Sequence, residues 1–141
     1  MRKKPFLALF VIGMVGMLLS GCANTTATQT AGTTPAAYQK ITAAQAHEMM
    51  READGWLLLD VRTDEEFSEG HIAGARLIPD DEIAGRAESE LPDKDATILI
   101  YCRSGRRSAN SARELLDMGY TNVYDFGGII DWPYDIVSGE S

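Results

Sequence analysis

The chain has 141 residues and a formal net charge of −8 at pH 7, with 21 acidic residues against 13 lysines and arginines. This acidic balance argues against nucleic acid as a partner and against electrostatic adhesion to anionic lipid. The length suffices for one small domain with a single core.

The N-terminal segment has the pattern of an export signal. Three positive residues at 2–4 precede an uncharged apolar stretch over 6–19, and Leu19-Ser20-Gly21-Cys22 follows. This order resembles the lipobox of bacterial lipoprotein signal peptides, and the apolar stretch is shorter than the roughly 20 residues of a spanning helix. We predict a signal peptide over residues 1–21, with an uncleaved membrane anchor as the alternative. By this resemblance, Cys22 would carry lipid and anchor the protein to a bacterial membrane, outside the cytoplasm.

A flexible tether is predicted over residues 22–37. This segment consists almost entirely of Ala, Thr, Asn, Gln, Gly and Pro and has no large apolar side chain, so it cannot bury enough surface to fold. As a coil it would span about 20 Å on average. Because the chain has two cysteines, lipidation of Cys22 would leave Cys102 as the only free thiol.

The remaining residues, 38–139, predict one domain of alternating helices and strands. Capping boxes of the type Thr-x-x-Gln/Glu mark the first two helix starts, and glycines mark helix ends. In chain order, the first half contains a helix from Thr42 to Gly55, a strand over Trp56–Val61, a short helix capped by Thr63 and Glu66, and a strand over Arg76–Ile78. The second half contains a helix over Asp80–Glu88, a strand over Thr97–Tyr101, a helix over Arg106–Met118, a strand over Asn122–Phe126 and a helical turn through Trp132.

Two predicted strands are continuously apolar, with the cores Leu57-Leu58-Leu59 and Ile98-Leu99-Ile100. Such runs are typical of strands covered on both faces, so we predict an α/β fold with an open, mostly parallel sheet between helices. Sheets of this kind bind ligands beyond the carboxyl ends of their strands. Asp60 and Arg62 follow the first strand and Cys102 follows the second, so we expect these residues to be neighbours.

The segment around Cys102 reads Cys-Arg-Ser-Gly-Arg-Arg-Ser, between a predicted strand and a predicted helix. Backbone N–H groups at a helix N-terminus point at an anion, and nearby positive charge favours it further. Both effects lower the pKa of a thiol, so we predict a reactive thiolate at Cys102. A buried, inert thiol is the alternative.

Several blocks of the sequence together resemble the rhodanese domain family. They are Leu59-Asp60-Val61-Arg62, Glu66-Phe67, Gly70-His71-Ile72-Ala73-Gly74-Ala75, Ile78-Pro79, the cysteine loop and Gly127-Gly128-Ile129-Ile130-Asp131-Trp132. The resemblance covers nearly all of residues 38–137, with the blocks in the right order. It implies a five-stranded parallel sheet flanked by helices and a cysteine that carries sulfane sulfur as a persulfide.

The resemblance implies a thiosulfate sulfurtransferase that works by double displacement. The Cys102 thiolate would take sulfur from thiosulfate or a similar small anionic donor and pass it to cyanide or a thiol. The loop residues expected to bind the donor are Arg103, Ser104, Gly105, Arg106, Arg107 and Ser108. Among the arginines we favour Arg103 and Arg106, because guanidinium groups match oxyanion geometry, although solvated or ion-paired side chains remain the alternative.

No cofactor or metal is implied, and we expect a monomer whose only membrane contact is its lipid anchor. A second hypothesis keeps the same cysteine but no turnover, as a module that stores or relays sulfane sulfur or senses redox state. Cysteine phosphatases and arsenate reductases are a third class, and they need Cys-x5-Arg. Here that position is Ser108, while Arg107 stands at Cys-x4-Arg. By family resemblance, the shorter loop suits sulfur rather than phosphate.

Five further residues are given supporting roles. Asp60 and Arg62 are predicted to form ion pairs or loop contacts beneath the site. His47 and His71 are predicted to be structural, although a Cys–His dyad stays open. Trp132 is predicted to pack in the core near the rim of the site.

Overall fold

The computed structural model describes residues 38–139 of the chain. The predicted signal peptide, the tether and Cys22 lie outside the described residues. Within 38–139, no helix has both the length and the apolar character needed to cross a membrane.

Helices and strands alternate along residues 38–139, and a 3₁₀ turn follows the last strand. The strands are β1 (Gln39–Lys40), β2 (Trp56–Asp60), β3 (Ala75–Leu77), β4 (Thr97–Cys102) and β5 (Asn122–Gly128). The helices are α1 (Ala43–Glu52), α2 (Asp64–Glu69), α3 (Ile83–Glu90) and α4 (Arg106–Asp117), and the 3₁₀ turn is Ile129–Asp131.

The five strands form one parallel sheet in the order β1-β5-β4-β2-β3. This confirms the predicted fold class. The chain leaves β2 outward to β3, then returns to β4 on the other side of β2. The carboxyl ends of β2 and β4 therefore flank the point where the strand order reverses, which is where open α/β sheets bind ligands. Asp60 pairs with Tyr101 across these two strands, so the predicted proximity of the two strand ends is confirmed.

Side chains of β4 alternate between two apolar cores, one on each face of the sheet. Ile98, Ile100 and Cys102 belong to the core shared with α3 and α4, whereas Leu99 and Tyr101 belong to the core shared with α1 and α2. The central strand is thus covered on both faces, which explains its continuously apolar sequence.

Local sequence signals explain how α1 and α2 begin. Thr42 Oγ1 accepts a hydrogen bond from the N–H of Gln45 at 3.2 Å, and the Gln45 side chain accepts one from the N–H of Thr42 at 2.9 Å. Thr63 and Glu66 form the same reciprocal pair at the start of α2. Both predicted capping boxes are confirmed.

The secondary structure differs from the predictions in two places. The sequence did not indicate the two-residue strand β1, since a strand this short has no periodicity of its own and exists through its pairing with β5. The third helix begins at Ile83, not at Asp80, because Pro79 and Glu82 first close a turn through a 2.9 Å hydrogen bond. In addition, the N–H of Asp80 donates to the carbonyl of Val61, which holds this segment against the end of β2.

Candidate active site

Cys102 is the last residue of β4, and three residues separate it from α4. Gly105 precedes the helix with φ of 98°, a left-handed conformation that favours glycine. In this conformation the N–H of Gly105 donates a hydrogen bond to the Cys102 Sγ at 3.0 Å. The loop therefore turns its backbone donors toward the sulfur.

The environment of Cys102 lowers the pKa of its thiol. Burial on its own would raise the pKa, but the backbone N–H and hydroxyl of Ser108 and the N–H groups of Gly105 and Ser104 outweigh it. Cys102 exposes 1% of its surface, as expected for an inert, buried thiol. The hydrogen-bond donors around its sulfur, however, stabilise a thiolate, so its environment favours the reactive form.

This pKa shift predicts how Cys102 ionises. The ultraviolet absorbance of its thiolate should rise with pH through a midpoint below the ordinary value for cysteine, because the loop donors favour the anion. Ser108→Ala removes one donor, so its midpoint should lie at higher pH than that of the wild type. The signal of Cys102→Ser is subtracted as background. Equal midpoints for Ser108→Ala and the wild type would contradict the role of the hydroxyl.

The three arginines of the loop differ in their surroundings. Arg103 and Arg106 are exposed and make no salt bridge with any residue in the described part of the chain. Arg107 instead binds Glu66 of α2 through two hydrogen bonds, at 2.7 and 2.8 Å. Arg103 and Arg106 are therefore the loop cations available to an anion.

Glu66 is a residue of the site that the sequence had suggested as a helix cap and as part of the family pattern, but not as a partner of Arg107. The hydrogen bond from Arg107 lowers the pKa of its carboxyl to about 2, although burial opposes the shift. Glu66 also accepts the N–H of Thr63 at 3.2 Å. One carboxylate thus completes the cap of α2 and holds the first turn of α4.

Ser108 lies where a phosphatase would place its arginine. It is fully buried, and its hydroxyl lies 3.2 Å from the carbonyl oxygen of Gly105 and 3.3 Å from that of Gly127. A hydroxyl packed into the loop cannot clamp a phosphate as a guanidinium does.

Two glycines at the end of β5 lie against the cysteine loop. A Cβ on Gly128 would overlap the carbonyl oxygen of Arg103 and lie 2.6 Å from the Cα of Ser104. A Cβ on Gly105 would lie 3.4 Å from the Cα of Gly127. The close packing of two backbones explains the Gly-Gly pair, a part of the family pattern whose role is visible only in the fold.

A buried carboxylate fixes this glycine pair. Asp125 Oδ1 accepts the N–H of Gly127 at 2.9 Å, and Asp125 Oδ2 accepts the hydroxyl of Tyr38 at 2.7 Å. Burial, followed by the hydrogen bond to Asp125, raises the pKa of Tyr38 to about 12. No local pattern in the sequence indicates the role of Asp125, because its inward position depends on how β5 pairs with β1 and β4.

Asp60 and Arg62 form a buried ion pair at the end of β2. The guanidinium Nη2 lies 2.6 Å from Asp60 Oδ2, its Nε lies 3.0 Å from both carboxylate oxygens, and Nη2 also donates to the carbonyl of Gly70 at 2.8 Å. The guanidinium stands over the ring of Tyr101 at 5.7 Å. Asp60 and Arg62 thus form the predicted ion pair, which links the end of β2 to Gly70 and to the Tyr101 ring of β4.

The contacts of His47, His71 and Trp132 are with aromatic rings and backbone, not with Cys102. His71 Nδ1 lies 2.9 Å from the carbonyl oxygen of Phe67, and its ring stacks on that of Phe67 at 3.7 Å. His47 stacks on Tyr134, and Trp132 packs against Phe126 in the core. Between residues 38 and 139 no group of His, Cys, Asp and Glu side chains is arranged to hold a metal ion.

The fold and the site together define an α/β domain with a cysteine of lowered pKa in an arginine-containing loop at the switch point of the sheet. The family model described as Rhodanese-like domain matches residues 42–133, which include the whole cysteine loop. The chain belongs to this family.

Individual relatives agree with this assignment. The chain is 38% identical over 87 residues to thiosulfate sulfurtransferase PspE of Escherichia coli (strain K12), covering 62% of this chain and 82% of that protein. It is 40% identical over 86 residues to a sulfurtransferase of Allochromatium vinosum, covering 60% of this chain and 78% of that protein. A solved rhodanese with anions from E. coli has a TM-score of 0.57 and 37% identity, covering 60% of this chain and 99% of that chain.

Proposed function

We propose that this protein is a sulfurtransferase that moves sulfane sulfur from thiosulfate, or a similar anionic donor, to a nucleophilic acceptor through a persulfide on Cys102. One observation carries the proposal: the loop donors lower the pKa of the Cys102 thiol, and two exposed arginines stand in the same loop. The sulfurtransferase names of the relatives and the anions in the E. coli rhodanese support the same reaction.

In the first step, the Cys102 thiolate attacks the outer sulfur of thiosulfate. A bond forms between Sγ and that sulfur, and the sulfur–sulfur bond of thiosulfate breaks with its electron pair leaving on sulfite. A thiolate and a thiosulfate dianion thus become a persulfide anion and a sulfite dianion. Arg103 and Arg106 attract both dianions. The loop N–H groups that face Sγ stabilise the anionic persulfide.

In the second step, an acceptor nucleophile attacks the outer sulfur of the persulfide. With cyanide, a carbon–sulfur bond forms, the bond to Sγ breaks and thiocyanate leaves while the Cys102 thiolate returns. A thiolate that leaves easily makes this step faster, so the same lowered pKa serves both halves of the reaction. The chemistry needs no metal or organic cofactor.

The reaction is tested by incubating the purified protein with thiosulfate and measuring its mass. One added sulfur on Cys102 is expected, and cyanide should then remove it with formation of thiocyanate. An absent adduct on the native protein, or an equal adduct on Cys102→Ser, would overturn the proposal. A stable adduct that cyanide does not remove would replace the enzyme with the sulfur carrier of the second hypothesis.

We also propose that this reaction takes place outside the cytoplasm, with the protein anchored by lipid to a bacterial cell membrane or envelope. The support is the sequence Leu19-Ser20-Gly21-Cys22 after an uncharged apolar stretch. A lipid on Cys22 would keep the domain within a tether's length of the membrane. We expect the anchored protein to be a monomer. Donor and acceptor would then be species that reach this surface.

A further inference from the structure

A groove of about 290 Å³ lies beside the cysteine loop. Its lining comes from the end of β2, from α2, from the 3₁₀ turn and from the segment after it: Arg62, Glu66, Glu69, Gly70, Ile129, Ile130 and Ile136. Two of these residues touch the loop directly. The N–H of Ile130 donates to the carbonyl of Arg103 at 3.3 Å, and Glu66 binds Arg107. Whatever occupies the groove is therefore a neighbour of the sulfur loop.

Two isoleucines make the surface of the groove apolar. Ile130 exposes 65% of its surface and Ile136 exposes 53%, although large aliphatic side chains are usually buried. Single exposed apolar residues need no explanation, but two in one concavity next to a reactive group mark a binding surface. This volume lies just below the about 300–1,000 Å³ of pockets for whole ligands, so it suits one or two side chains.

The charge of the groove is negative. Arg62 and Glu66 are both compensated, by Asp60 and Arg107 respectively. Glu69 is exposed and has no salt-bridge partner within residues 38–139, and the same holds for Asp131 next to Ile130. The acidic, apolar groove thus contrasts with the cationic side of the loop, where Arg103 and Arg106 stand.

We propose that the groove binds the sulfur acceptor, and that the acceptor is a protein cysteine flanked by an apolar residue and by lysine or arginine. This inference rests on the sulfurtransferase function proposed above. An apolar side chain fills the groove between Ile130 and Ile136, and the basic residue is attracted to Glu69. Cyanide and small anionic thiols use neither feature. The site therefore has a cationic half for the donor and an acidic, apolar half for the acceptor.

The transfer itself is a balanced exchange. The acceptor thiolate attacks the outer sulfur of the anionic Cys102 persulfide, so a new sulfur–sulfur bond forms on the acceptor. The bond between the outer sulfur and Sγ breaks, and its electron pair stays on Sγ as the thiolate. The acceptor leaves as a persulfide anion, and no external oxidant, reductant or proton donor takes part.

The test uses the purified protein loaded with thiosulfate and freed of excess donor. Single-turnover rates are measured for acetyl-Leu-Cys-Lys-Lys-amide, acetyl-Leu-Cys-Glu-Glu-amide, free cysteine and cyanide, each corrected for the fraction of ionised nucleophile. The lysine peptide should react about tenfold faster than the glutamate peptide because of the charge of the groove. It should also react faster than free cysteine, which has no apolar neighbour.

Variants connect the preference to the groove. Each peptide rate is divided by the cyanide rate of the same variant, which removes changes in the loop itself. Glu69→Lys should abolish or reverse the preference for the lysine peptide, and Ile130→Ser should lower this ratio about tenfold for both peptides. Glu52→Lys makes the same charge change at the exposed end of α1, outside the groove, and should keep the preference of the wild type.

The outcomes separate the two proposals. Equal rates for the two peptides, or a free cysteine as fast as the lysine peptide, would overturn the acceptor groove while the persulfide chemistry stands. The same holds if Glu52→Lys changes the preference as much as Glu69→Lys. Failure of thiosulfate to load Cys102 would instead overturn the sulfurtransferase function and the inference with it.

Discussion

Replacing Gly128 by alanine is expected to lower the rate of sulfur transfer about 100-fold, because a displacement near 1 Å at a reacting group has effects of this size. The added Cβ would overlap the carbonyl of Arg103 and the Cα of Ser104, and both are backbone atoms that cannot rotate away. The loop must therefore move. The 3.0 Å hydrogen bond from Gly105 to Sγ depends on its position. The strain should also lower the free energy of unfolding by about 1–3 kcal/mol.

The matched control is Gly85→Ala in α3. Apart from the adjacent residues and the backbone of α3 itself, no atom lies within 4 Å of the Cβ that this substitution adds, and Gly85 has no left-handed φ. Because alanine favours a helix over glycine, its stability should be unchanged or about 1 kcal/mol higher, with the wild-type rate. Thiosulfate:cyanide kinetics and urea unfolding measure both quantities. A Gly128→Ala protein with the wild-type rate would show that the loop does not depend on the close approach of β5.

The sequence predicted where the candidate site lies better than it predicted which residues contact one another there. The basic loop indicated a site at Cys102, and two continuously apolar runs indicated strands buried on both faces, whose carboxyl ends were expected to be neighbours there. The structure confirms that β2 and β4 are neighbours there. Capping boxes likewise predicted where α1 and α2 begin, because such caps involve residues three apart and are local.

Contacts between distant segments could not be predicted in this way. Glu66 and Arg107 are 41 residues apart, and nothing local to either residue indicates the pair. The contact of Gly128 with Arg103 likewise exists only after β5 has paired with β4, where the register shifts between Ile100 and Cys102. The sequence shows three arginines in the loop, but only the fold shows that the charge of Arg107 is compensated by Glu66.

The local charge of the site follows from these tertiary contacts. Arg107 forms a salt bridge with Glu66, which compensates its charge and stabilises the junction of α2 and α4. Arg103 and Arg106 are exposed and form no salt bridge within residues 38–139, so they carry the remaining positive charge of the loop. One short loop thus contains one arginine held by an ion pair and two exposed arginines.

Asp60→Asn is expected to lower the free energy of unfolding by about 3–5 kcal/mol, the range for removal of one partner of a buried ion pair. Asp60 is fully buried and Arg62 is 5% exposed, so the substitution leaves a guanidinium charge that water cannot reach. Its remaining strong acceptor is the carbonyl of Gly70. Urea unfolding at neutral pH measures the loss.

Two further variants show whether the cost comes from the stranded charge. Glu48→Gln breaks the exposed pair with Arg51, where both side chains are more than half exposed, and should cost less than about 1 kcal/mol. The double variant Asp60→Asn/Arg62→Met removes the uncompensated charge and should recover part of the stability lost in Asp60→Asn. If Asp60→Asn were as stable as Glu48→Gln, the buried pair would not support the end of β2. A double variant less stable than Asp60→Asn would show that the Arg62 side chain stabilises this region mainly by packing and by its bond to Gly70.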